Sequence, residues 1–427
     1  MVPDKGWLLG VTDDRSPEDA SPNDSHDSGA GHDPNTHVTG QAPDSSPDSQ
    51  PVPFGRFLRY FLWLGAFGFG GPIATVGYMQ RDLVEKRHWL DRSEFLNGVA
   101  LGQTMPGPLA AQVAMWAGYL QAGAWGALAI AVPFILPSFA LVLVVAYSYV
   151  HFRGLMVIQS LFYGIAPAVM AIIAFAAGKL ARLTNQRDPR LWAISVVILT
   201  VTALTGTEVA LLFLGAGFLM ILLDAPPKWL RGRTVSSLIA APAGFSLLTG
   251  TATSATMLAL GLFFLKAGAF IFGSGLAIVP FLREGVVNQH HWLTSREFLD
   301  AVAIGLISPG PVVITAAFIG YLVGGFVGAF VATIAIFTPI YLGVVIPGPW
   351  FLRHKDNPQI RAFVKGATAA AAGAIAGATV VLTKQAVVDV RTALILAVAL
   401  VFVWRLKGLE PLLVILAGLA GILIKGL

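Results

Sequence analysis

Cysteine is absent from the 427-residue chain, which excludes disulfide bonds, thiolate metal sites and catalysis by a cysteine thiol. Charged residues are also scarce, at 12% of the sequence, whereas hydrophobic residues make up 56% and the mean hydropathy is +0.72. A soluble domain could not bury so much apolar surface, so the composition predicts an all-α polytopic membrane protein. Its 46 Gly and 26 Pro predict that some of the membrane helices are broken.

The first part of the chain lacks these apolar stretches. Its first 50 residues contain ten acidic side chains against Lys5 and Arg15, and segment 1–52 is rich in Pro, Ser, Asn and Gly. Such a segment cannot offset the entropy of ordering, so we predict a disordered acidic tail. It has neither the basic start nor the apolar core of a signal peptide, and the first membrane segment is therefore expected to direct insertion.

Two sets of apolar segments follow, each segment long enough to cross a bilayer or to enter it as paired half-helices. The first set lies at roughly 57–80, 95–120, 124–150, 155–178, 191–204 and 208–223. The second set lies at roughly 257–281, 298–322, 324–346, 360–382, 391–404 and 411–425. The predicted domains are thus the tail 1–52, a first membrane repeat 53–224, a linker 225–256 and a second membrane repeat 257–427.

The two sets are copies of one sequence. When 61–108 is aligned without a gap to 264–311, about 21 of the 48 positions are identical. Both aligned stretches end on the same element, Pro106-Gly107-Pro108 in the first repeat and Pro309-Gly310-Pro311 in the second. A duplication of this length indicates a transporter-like architecture.

The loop charges predict that the copies have opposite orientations. Loop 80–94 has four basic residues, whereas its counterpart 283–297 has two, and the next three pairs of loops alternate in which copy is basic. Because Lys and Arg of short loops stay on the cytoplasmic side, the second repeat is predicted to be inverted. One segment before loop 151–154 must then be re-entrant. Proline breaks helices, so we predict helical hairpins at 95–120 and 298–322 that enter from opposite sides.

A half-helix that starts after Pro-Gly-Pro points unpaired N–H groups and a positive dipole end into the membrane, where they favour an anion. Two inverted hairpins would bring two such ends together near the midplane. The alternative is that each break is only a kink that lets helices pack. Five side chains offer neutral donors around the breaks: Gln103, Thr104, Gln112, Ser308 and Thr315.

Glycine-rich breaks also interrupt the first segment of each repeat, at Gly70-Gly71-Pro72 and at Gly273-Ser274-Gly275. They either expose backbone to the substrate or allow close packing of helices. Lys266 is a single charge in an apolar stretch, where it would either help to hold a dianion or extend to the interface. His88-Trp89 and His291-Trp292 fit interfacial anchors, and proton coupling through the histidines is the alternative.

These motifs resemble the chromate ion transporter family, in its long-chain two-domain form, over essentially 54–427. The first repeat carries the resemblance through Phe67-Gly68-Phe69-Gly70-Gly71-Pro72, Val84-Glu85-Lys86-Arg87-His88-Trp89-Leu90, Pro106-Gly107-Pro108 and Phe134-Ile135-Leu136-Pro137. The second repeat carries it through Phe264-Leu265-Lys266-Ala267-Gly268, Phe272-Gly273-Ser274-Gly275, Ser308-Pro309-Gly310-Pro311 and Phe318-Ile319-Gly320-Tyr321-Leu322.

The resemblance implies a multi-pass inner-membrane protein that exports chromate from the cytoplasm, confers chromate resistance and uses the proton-motive force. The Gly-Gly-Pro and Pro-Gly-Pro motifs of that family fall on Gly70-Gly71-Pro72 and Pro106-Gly107-Pro108, with counterparts at Gly273-Ser274-Gly275 and Pro309-Gly310-Pro311, which are the residues that we predict to bind the substrate. Sulfate or another tetrahedral oxyanion, and an anion channel, remain alternatives, and a homo-oligomer stays open. We expect no cofactor, no metal and no nucleic-acid partner. A membrane-embedded enzyme is disfavoured because the membrane region has no metal-ligand cluster and no nucleophile motif.

Overall fold

The computed structural model describes residues 53–69, 71–152, 156–205, 210–226, 252–271, 275, 278–348, 350, 354, 357–406 and 409–425. The predicted tail and most of the linker lie outside these ranges. The helices of the first repeat are α1 (Phe54–Phe67), α2 (Gly71–Met79), α3 (Arg92–Thr104), α4 (Leu109–Phe152), α5 (Met156–Asn185), α6 (Pro189–Thr205) and α7 (Ala210–Asp224). Those of the second are α8 (Ala252–Ala269), α9 (Ile278–Arg283), α10 (Ser295–Ile307), α11 (Thr315–Val345), α12 (Pro358–Ala386), α13 (Val390–Arg405) and α14 (Glu410–Lys425). This order confirms the duplicated, all-helical fold over the described part of the chain.

The repeats share unusual backbone geometry at matching places. α2 continues into a π-helical turn at Gln80–Lys86, and α9 continues into one at Glu284–Gln289. Three positive φ angles of the first repeat have counterparts in the second: His88 (51°) with His291 (52°), Gly107 (143°) with Gly310 (88°), and Gly123 (59°) with Gly325 (60°). Gln186 (43°) has no counterpart among the described residues. Agreement at separate local features shows that the repeat in sequence is a repeat in structure.

α4 and α11 each fold back on themselves at a kink. The backbone is non-helical at Ala122 and Gly123 in α4, and at the matching pair Gly324-Gly325 in α11. Gly118 then faces Gly126 so closely that a Cβ on Gly126 would lie 2.1 Å from the Gly118 carbonyl oxygen. The kink divides α4 into a short arm (109–121) and a long arm (124–152), at the boundary predicted between segments 95–120 and 124–150.

α3 packs against the short arm of α4 as an antiparallel partner. The Trp116 indole N–H donates to the Glu94 carbonyl oxygen at 3.1 Å, and Gly98 leaves room for the same indole. We call α3 and this arm hairpin 1, with its tip at 105–108. α10 and the start of α11, where Gly305 faces Thr315, form hairpin 2, with its tip at 308–311. Both predicted hairpins are present, and their entry from opposite sides of a membrane stays a prediction.

The equivalent helices α5 and α12 run antiparallel. Tyr163, near the start of α5, donates a hydrogen bond to the carboxylate of Asp389, which follows the end of α12. At the opposite ends, Leu191, just after α5, shares a cluster with Ala362 near the start of α12. Opposite directions of equivalent helices are the signature of an inverted repeat, so the packing agrees with the orientation derived from the loop charges.

The loops also sort by charge. The cavity between α4, α5 and α10 is lined by Gln159 and Thr294, which lie beside the two loops that are poor in Lys and Arg. Gly348, next to a loop rich in basic residues, approaches the Trp116 ring, and a Cβ there would lie 3.2 Å away. Trp116 in turn contacts Glu94, beside the basic loop 80–94. Loops that the charges assign to one side therefore lie together.

The repeats exchange their long helices. α12 packs along α6 and α7 of the first repeat, while α5 packs along α13 and α14 of the second. Gly373 on α12 meets Ser195 so closely that a Cβ would lie 2.2 Å from its carbonyl oxygen, and Gly164 on α5 meets Ala417 in the same way. Small residues allow this backbone approach, which is the usual means of helix association in a bilayer.

The outer surface is apolar. Large hydrophobic side chains such as Trp125 (79% exposed) and Leu204 (82%) point outward. Within the described residues, four helical stretches are long and apolar enough to cross a membrane: Leu109–Phe152, Met156–Asn185, Val312–Val345 and Pro358–Ala386. A protein surrounded by such side chains is a multi-pass membrane protein.

Candidate substrate site at the two hairpin tips

The tip of hairpin 1 is a short non-helical bend. α3 ends at Thr104, and α4 begins directly after Pro108. Gly107 adopts a φ of 143°, which L side chains rarely adopt, and a Cβ there would lie 2.8 Å from the Gln112 amide and 3.1 Å from Ile340. Proline on both sides withholds N–H donors that would continue either helix, so the sequence stops and restarts the helix here.

The tip of hairpin 2 has the same construction. α10 ends at Ile307, Pro311 leads into a 3₁₀ turn at Val312–Ile314, and α11 continues from Thr315. Gly310 has a φ of 88°. The sequence predicts half-helices that start after each Pro-Gly-Pro, and Pro108 and Pro311 each lie directly before the first helical residue. The first N–H groups of a helix generally lack acceptors within it and give that end its positive character. After the tip of hairpin 2 the Ile314 N–H already donates to the Pro311 carbonyl oxygen at 3.0 Å.

Each tip inserts into the other repeat. The Gly107 N–H donates to the carbonyl oxygen of Ile271, where α8 has ended, at 2.6 Å. Gly310 faces α4 of the first repeat, and a Cβ there would lie 3.1 Å from the Ser138 hydroxyl oxygen. Ser138 and Ile340 occupy matching positions in the two repeats, each directly after a proline. Equivalent positions of α4 and α11 therefore each contact the hairpin tip of the other repeat.

Gly275 connects the two tips. It is buried, and a Cβ built on it would lie 3.7 Å from the Cβ of Pro108 and 3.7 Å from the Cβ of Val312. Gly275 therefore lies between the starts of the two returning half-helices. Two positive helix ends and a residue without a side chain meet at one place, which is the arrangement expected for an anion site.

The predicted hydroxyl donors of this region already have acceptors in their own helices. Thr104 donates to the Ala100 carbonyl oxygen at 2.8 Å, Ser308 to Gly305 at 3.0 Å, and Thr315 to Val312 at 2.8 Å. Thr315 is 2% exposed and Ser308 7%. These side chains tighten the helix ends in this conformation, and a substrate would compete with those carbonyls for the hydroxyl protons.

Gln112 holds the tip of hairpin 1. Its Nε2 donates to the carbonyl oxygens of Met105 at 3.3 Å and Pro106 at 2.9 Å. The side chain is fully buried, and its Oε1 is one of the buried polar atoms without a partner in the described chain. Gln112 therefore fixes the loop and leaves one unused acceptor beside it, a position suited to a water molecule or a hydroxyl group.

The structure places two predicted site residues away from these contacts. Gln103 is exposed at the end of α3. Lys266 is exposed in the last turn of α8, with its Nζ 5.9 Å from the centre of the Phe281 ring. Its ammonium group is therefore not buried. Gly71 and Pro72 open α2, whereas Gly70, Gly273 and Ser274 lie outside the described residues.

The histidines of the re-entry loops have a backbone role. His88 and His291 are exposed, and each adopts the left-handed conformation that ends the preceding π-helical turn. The following residue, Trp89 or Trp292, returns its N–H to that turn, at 2.7 Å to Leu83 and 2.9 Å to Val286. Each histidine therefore terminates a helix.

Sequence reasoning missed two buried polar residues. Ser138 is fully buried against the tip of hairpin 2. Asp300 is 3% exposed on α10, and its carboxylate accepts a hydrogen bond from the Tyr149 hydroxyl at 2.8 Å. Asp300 had a signal, because it is a single carboxylate within the apolar stretch 298–307. For Ser138, only its position after Pro137 set it apart.

Inverted repeats that share their long helices, with paired half-helix ends meeting inside an apolar shell, define a membrane transporter. A family model described as chromate transporter matches residues 55–221 and 258–422 separately, once for each repeat. The chain belongs to the chromate transporter family.

Curated relatives agree with this assignment. A chromate transport protein of Cupriavidus metallidurans is 49% identical over 369 residues, which cover 86% of this chain and 92% of the relative. A probable chromate transport protein of Synechococcus elongatus is 49% identical over 372 residues, covering 86% and 95%. An uncharacterized transporter of Bacillus subtilis is 30% identical over 166 residues, which cover 37% of this chain but 91% of the relative. That relative is about the size of one repeat. No solved structure matches the chain.

Proposed function

We propose that this protein exports chromate from the cytoplasm across the inner membrane, driven by the proton-motive force, and binds the anion between the two hairpin tips. The membership in the chromate transporter family supports the substrate. The position of Gly275, 3.7 Å by its Cβ from both Pro108 and Val312, supports the site.

The geometry suits a tetrahedral dianion. The described groups that contact the two glycines of the tips are neutral: the Gln112 amide, the Ser138 hydroxyl, the Ile271 carbonyl and the Ile340 side chain. Charge compensation would therefore come from helix ends, each equivalent to about half a positive charge. Partial charges hold an anion without trapping it as a buried lysine would, which suits a carrier that must release its substrate.

The inverted architecture suggests how access alternates. Each tip rests on the opposite repeat, on Ser138 or on Ile340, so a tilt of one repeat against the other would open one tip contact and close its counterpart. The substrate would remain between the tips while the open side changes.

Uptake of chromate into everted membrane vesicles tests this proposal. The Pro108→Ala and Pro311→Ala variants should insert normally and lose uptake, because each restores an N–H and allows the helix to run through the tip. Pro133→Ala is a matched control, since Pro133 lies inside α4 and the second repeat has Ala335 at that position. Normal uptake by both tip variants would contradict the site.

The same vesicles separate the alternatives. An acid interior should drive chromate uptake against its gradient in a proton-coupled exporter, whereas a channel would only equilibrate it. Sulfate at increasing concentration should compete in proportion to its affinity for the same helix ends. If a modest excess of sulfate blocked chromate uptake completely, the protein would be a general oxyanion carrier instead.

A further inference from the structure

Asp300 is a buried carboxylate that forms no ion pair among the described residues. It lies on α10, the first arm of hairpin 2, and is 3% exposed. Within the described chain its hydrogen-bond donor is the Tyr149 hydroxyl at 2.8 Å, and the ion pairs found there do not include it. An ionised carboxylate in such a place is costly, and taking up a proton removes that cost.

Charged groups near Asp300 do not neutralise it. Tyr149 faces it from α4, and the charged side chains that act on it, Arg296 and Glu297, belong to its own helix. Glu297 is committed to a capping box with Thr294 at the start of α10. α5 adds only the neutral Gln159 and apolar neighbours. The pair of Asp300 and Tyr149 is therefore free to gain and lose a proton without breaking an ion pair.

A cavity connects this carboxylate to the surface. It has a volume of about 220 Å³ and is lined by Tyr149, Ile158, Gln159, Phe162, Thr294, Arg296, Glu297 and Asp300. Thr294 and Arg296 are exposed at its mouth. The loops beside that mouth are the ones poor in basic residues, which places the mouth on the outer side of the membrane by the loop charges. Protons from the outside would reach Asp300 by this route.

The position is asymmetric between the repeats. The residue of hairpin 1 that matches Asp300 is Asn97, which has nearly the same shape but cannot ionise. A coupling proton needs only one carrier. Both repeats would thus contribute to the substrate site, while at this position only α10 of hairpin 2 carries a titratable side chain.

Asp300 is also linked mechanically to the substrate site. It lies eight residues before Ser308, which directly follows the end of the same helix, or about 12 Å along the axis. A change in the charge of Asp300 would therefore move, or release, the arm that presents the tip of hairpin 2. Protonation allows the arm to stay buried, and ionisation favours its opening to water.

We propose that Asp300, hydrogen-bonded by Tyr149, is the carboxylate that carries the coupling proton, an inference that rests on the proton-driven export proposed above. A proton from the outer side converts the carboxylate to a carboxylic acid, whose O–H then donates to the Tyr149 oxygen. After the change of access, the acid releases the proton to the cytoplasmic side and regains the hydrogen bond from Tyr149.

Proteoliposomes containing the full chain test this assignment with two measurements. One is chromate accumulation driven by a pH gradient. The other is exchange of labelled for unlabelled chromate without a gradient, which needs binding and a change of access but no net proton movement. Asp300→Asn should lose accumulation and keep exchange. Asp300→Glu should restore accumulation with a displaced pH profile, and Tyr149→Phe should displace the profile as well.

A control variant and three outcomes decide whether Asp300 carries the coupling proton. Asp91→Asn removes an exposed carboxylate that makes no capping bond before α3, and it should leave both measurements unchanged. Accumulation by Asp300→Asn at the wild-type level would overturn the assignment. Loss of exchange in both Asp300→Asn and Asp300→Glu, with protein present in the membrane, would also overturn it and leave a structural role. Wild-type protein that exchanges chromate but ignores the pH gradient would refute the proposed coupling itself.

Discussion

The Gly107 N–H lies 2.6 Å from the carbonyl oxygen of Ile271, so the tip of one hairpin is bonded to the end of a helix that belongs to the other repeat. This bond fixes one of the few backbone donors of the tip. It also joins the Pro-Gly-Pro element to the glycine-rich break that follows α8. The two broken elements of the sequence are therefore parts of one structure.

Gly107→Ala should abolish chromate transport. The substitution puts a Cβ 2.8 Å from the Gln112 amide at a φ of 143°, so the tip must move away from Ile271. Gly123→Ala is the matched control, because Gly123 also has a positive φ but no atom within 4 Å of a Cβ. Vesicle uptake, normalised to inserted protein, should separate the two variants, and equal activities would mean that the tip tolerates displacement.

Gln112→Leu should weaken both the tip and the fold. The variant removes the donors to the Met105 and Pro106 carbonyls and leaves those groups without a partner, at a cost of about 1–3 kcal/mol. Gln112→Glu keeps the shape but loses the donor when ionised, so it should fail in the same way. Thermal unfolding in detergent measures the first effect and vesicle uptake the second. A Gln112→Glu variant with normal stability would show that the amide is not needed as a donor.

His88→Gly should stabilise the protein by about 1 kcal/mol, because glycine adopts the left-handed conformation of this helix end without the clash of a Cβ. The same holds for His291→Gly. Since both side chains are exposed, chromate transport and its pH dependence should be retained. Loss of pH-driven transport in both glycine variants would instead favour proton coupling through these histidines.

Lys266→Gln should leave the chromate affinity unchanged. The ammonium group is exposed and lies over the Phe281 ring, and the structure does not bury it among the tip residues. Transport rates at limiting chromate report the affinity, with Lys384→Gln, another exposed lysine near a helix end, as the control. A large fall in affinity confined to Lys266→Gln would show that the side chain reaches the substrate in another conformation.

The start of α13 should show an acid-sensitive contribution to stability. Hydrogen bonds from the Tyr163 hydroxyl and from the backbone N–H of Thr392 lower the pKa of Asp389 below its usual value of 3.8. A lowered folded pKa means that the contribution is complete above the unfolded pKa and is lost as the pH falls through the folded value. Unfolding followed between pH 6 and pH 3 should therefore show a loss at the acid end that is missing in Asp389→Asn.

Much of the architecture could be predicted because it depends on local chemistry. Pro-Gly-Pro stops a helix wherever it stands, so the tips at Gly107 and Gly310 follow from the sequence, and the loop charges revealed the inversion without any contact being known. Which side chains of a helix are buried against a neighbouring helix and which are exposed could not be predicted in this way. Lys266 is exposed beside Leu262 and Leu265 because the other face of α8 packs on α11, a tertiary choice that the uniformly apolar helix does not reveal.

The supporting residues of the site were missed for the same reason. Ser138 contacts Gly310 only because hairpin 2 inserts beside α4, and nothing within the first repeat records that neighbour. Asp300 could have been found from its apolar surroundings, but its partner Tyr149 lies 151 positions away in sequence. Contacts between residues so far apart in sequence leave no periodic pattern of hydrophobic residues, and prediction from a single sequence depends on such patterns.

The exchange of long helices between the repeats has a consequence for biosynthesis. α5 leaves the ribosome well before its partners α13 and α14, which are separated from it by more than half of the membrane region. At usual rates of translation, the interval is on the order of ten to fifty seconds. During that time the face of α5 that holds Gly164 has only lipid or the insertion machinery in place of Ala417. Completion of this interface therefore waits for α13 and α14, and a ribosome that stalls before them would leave α5 without these two partners.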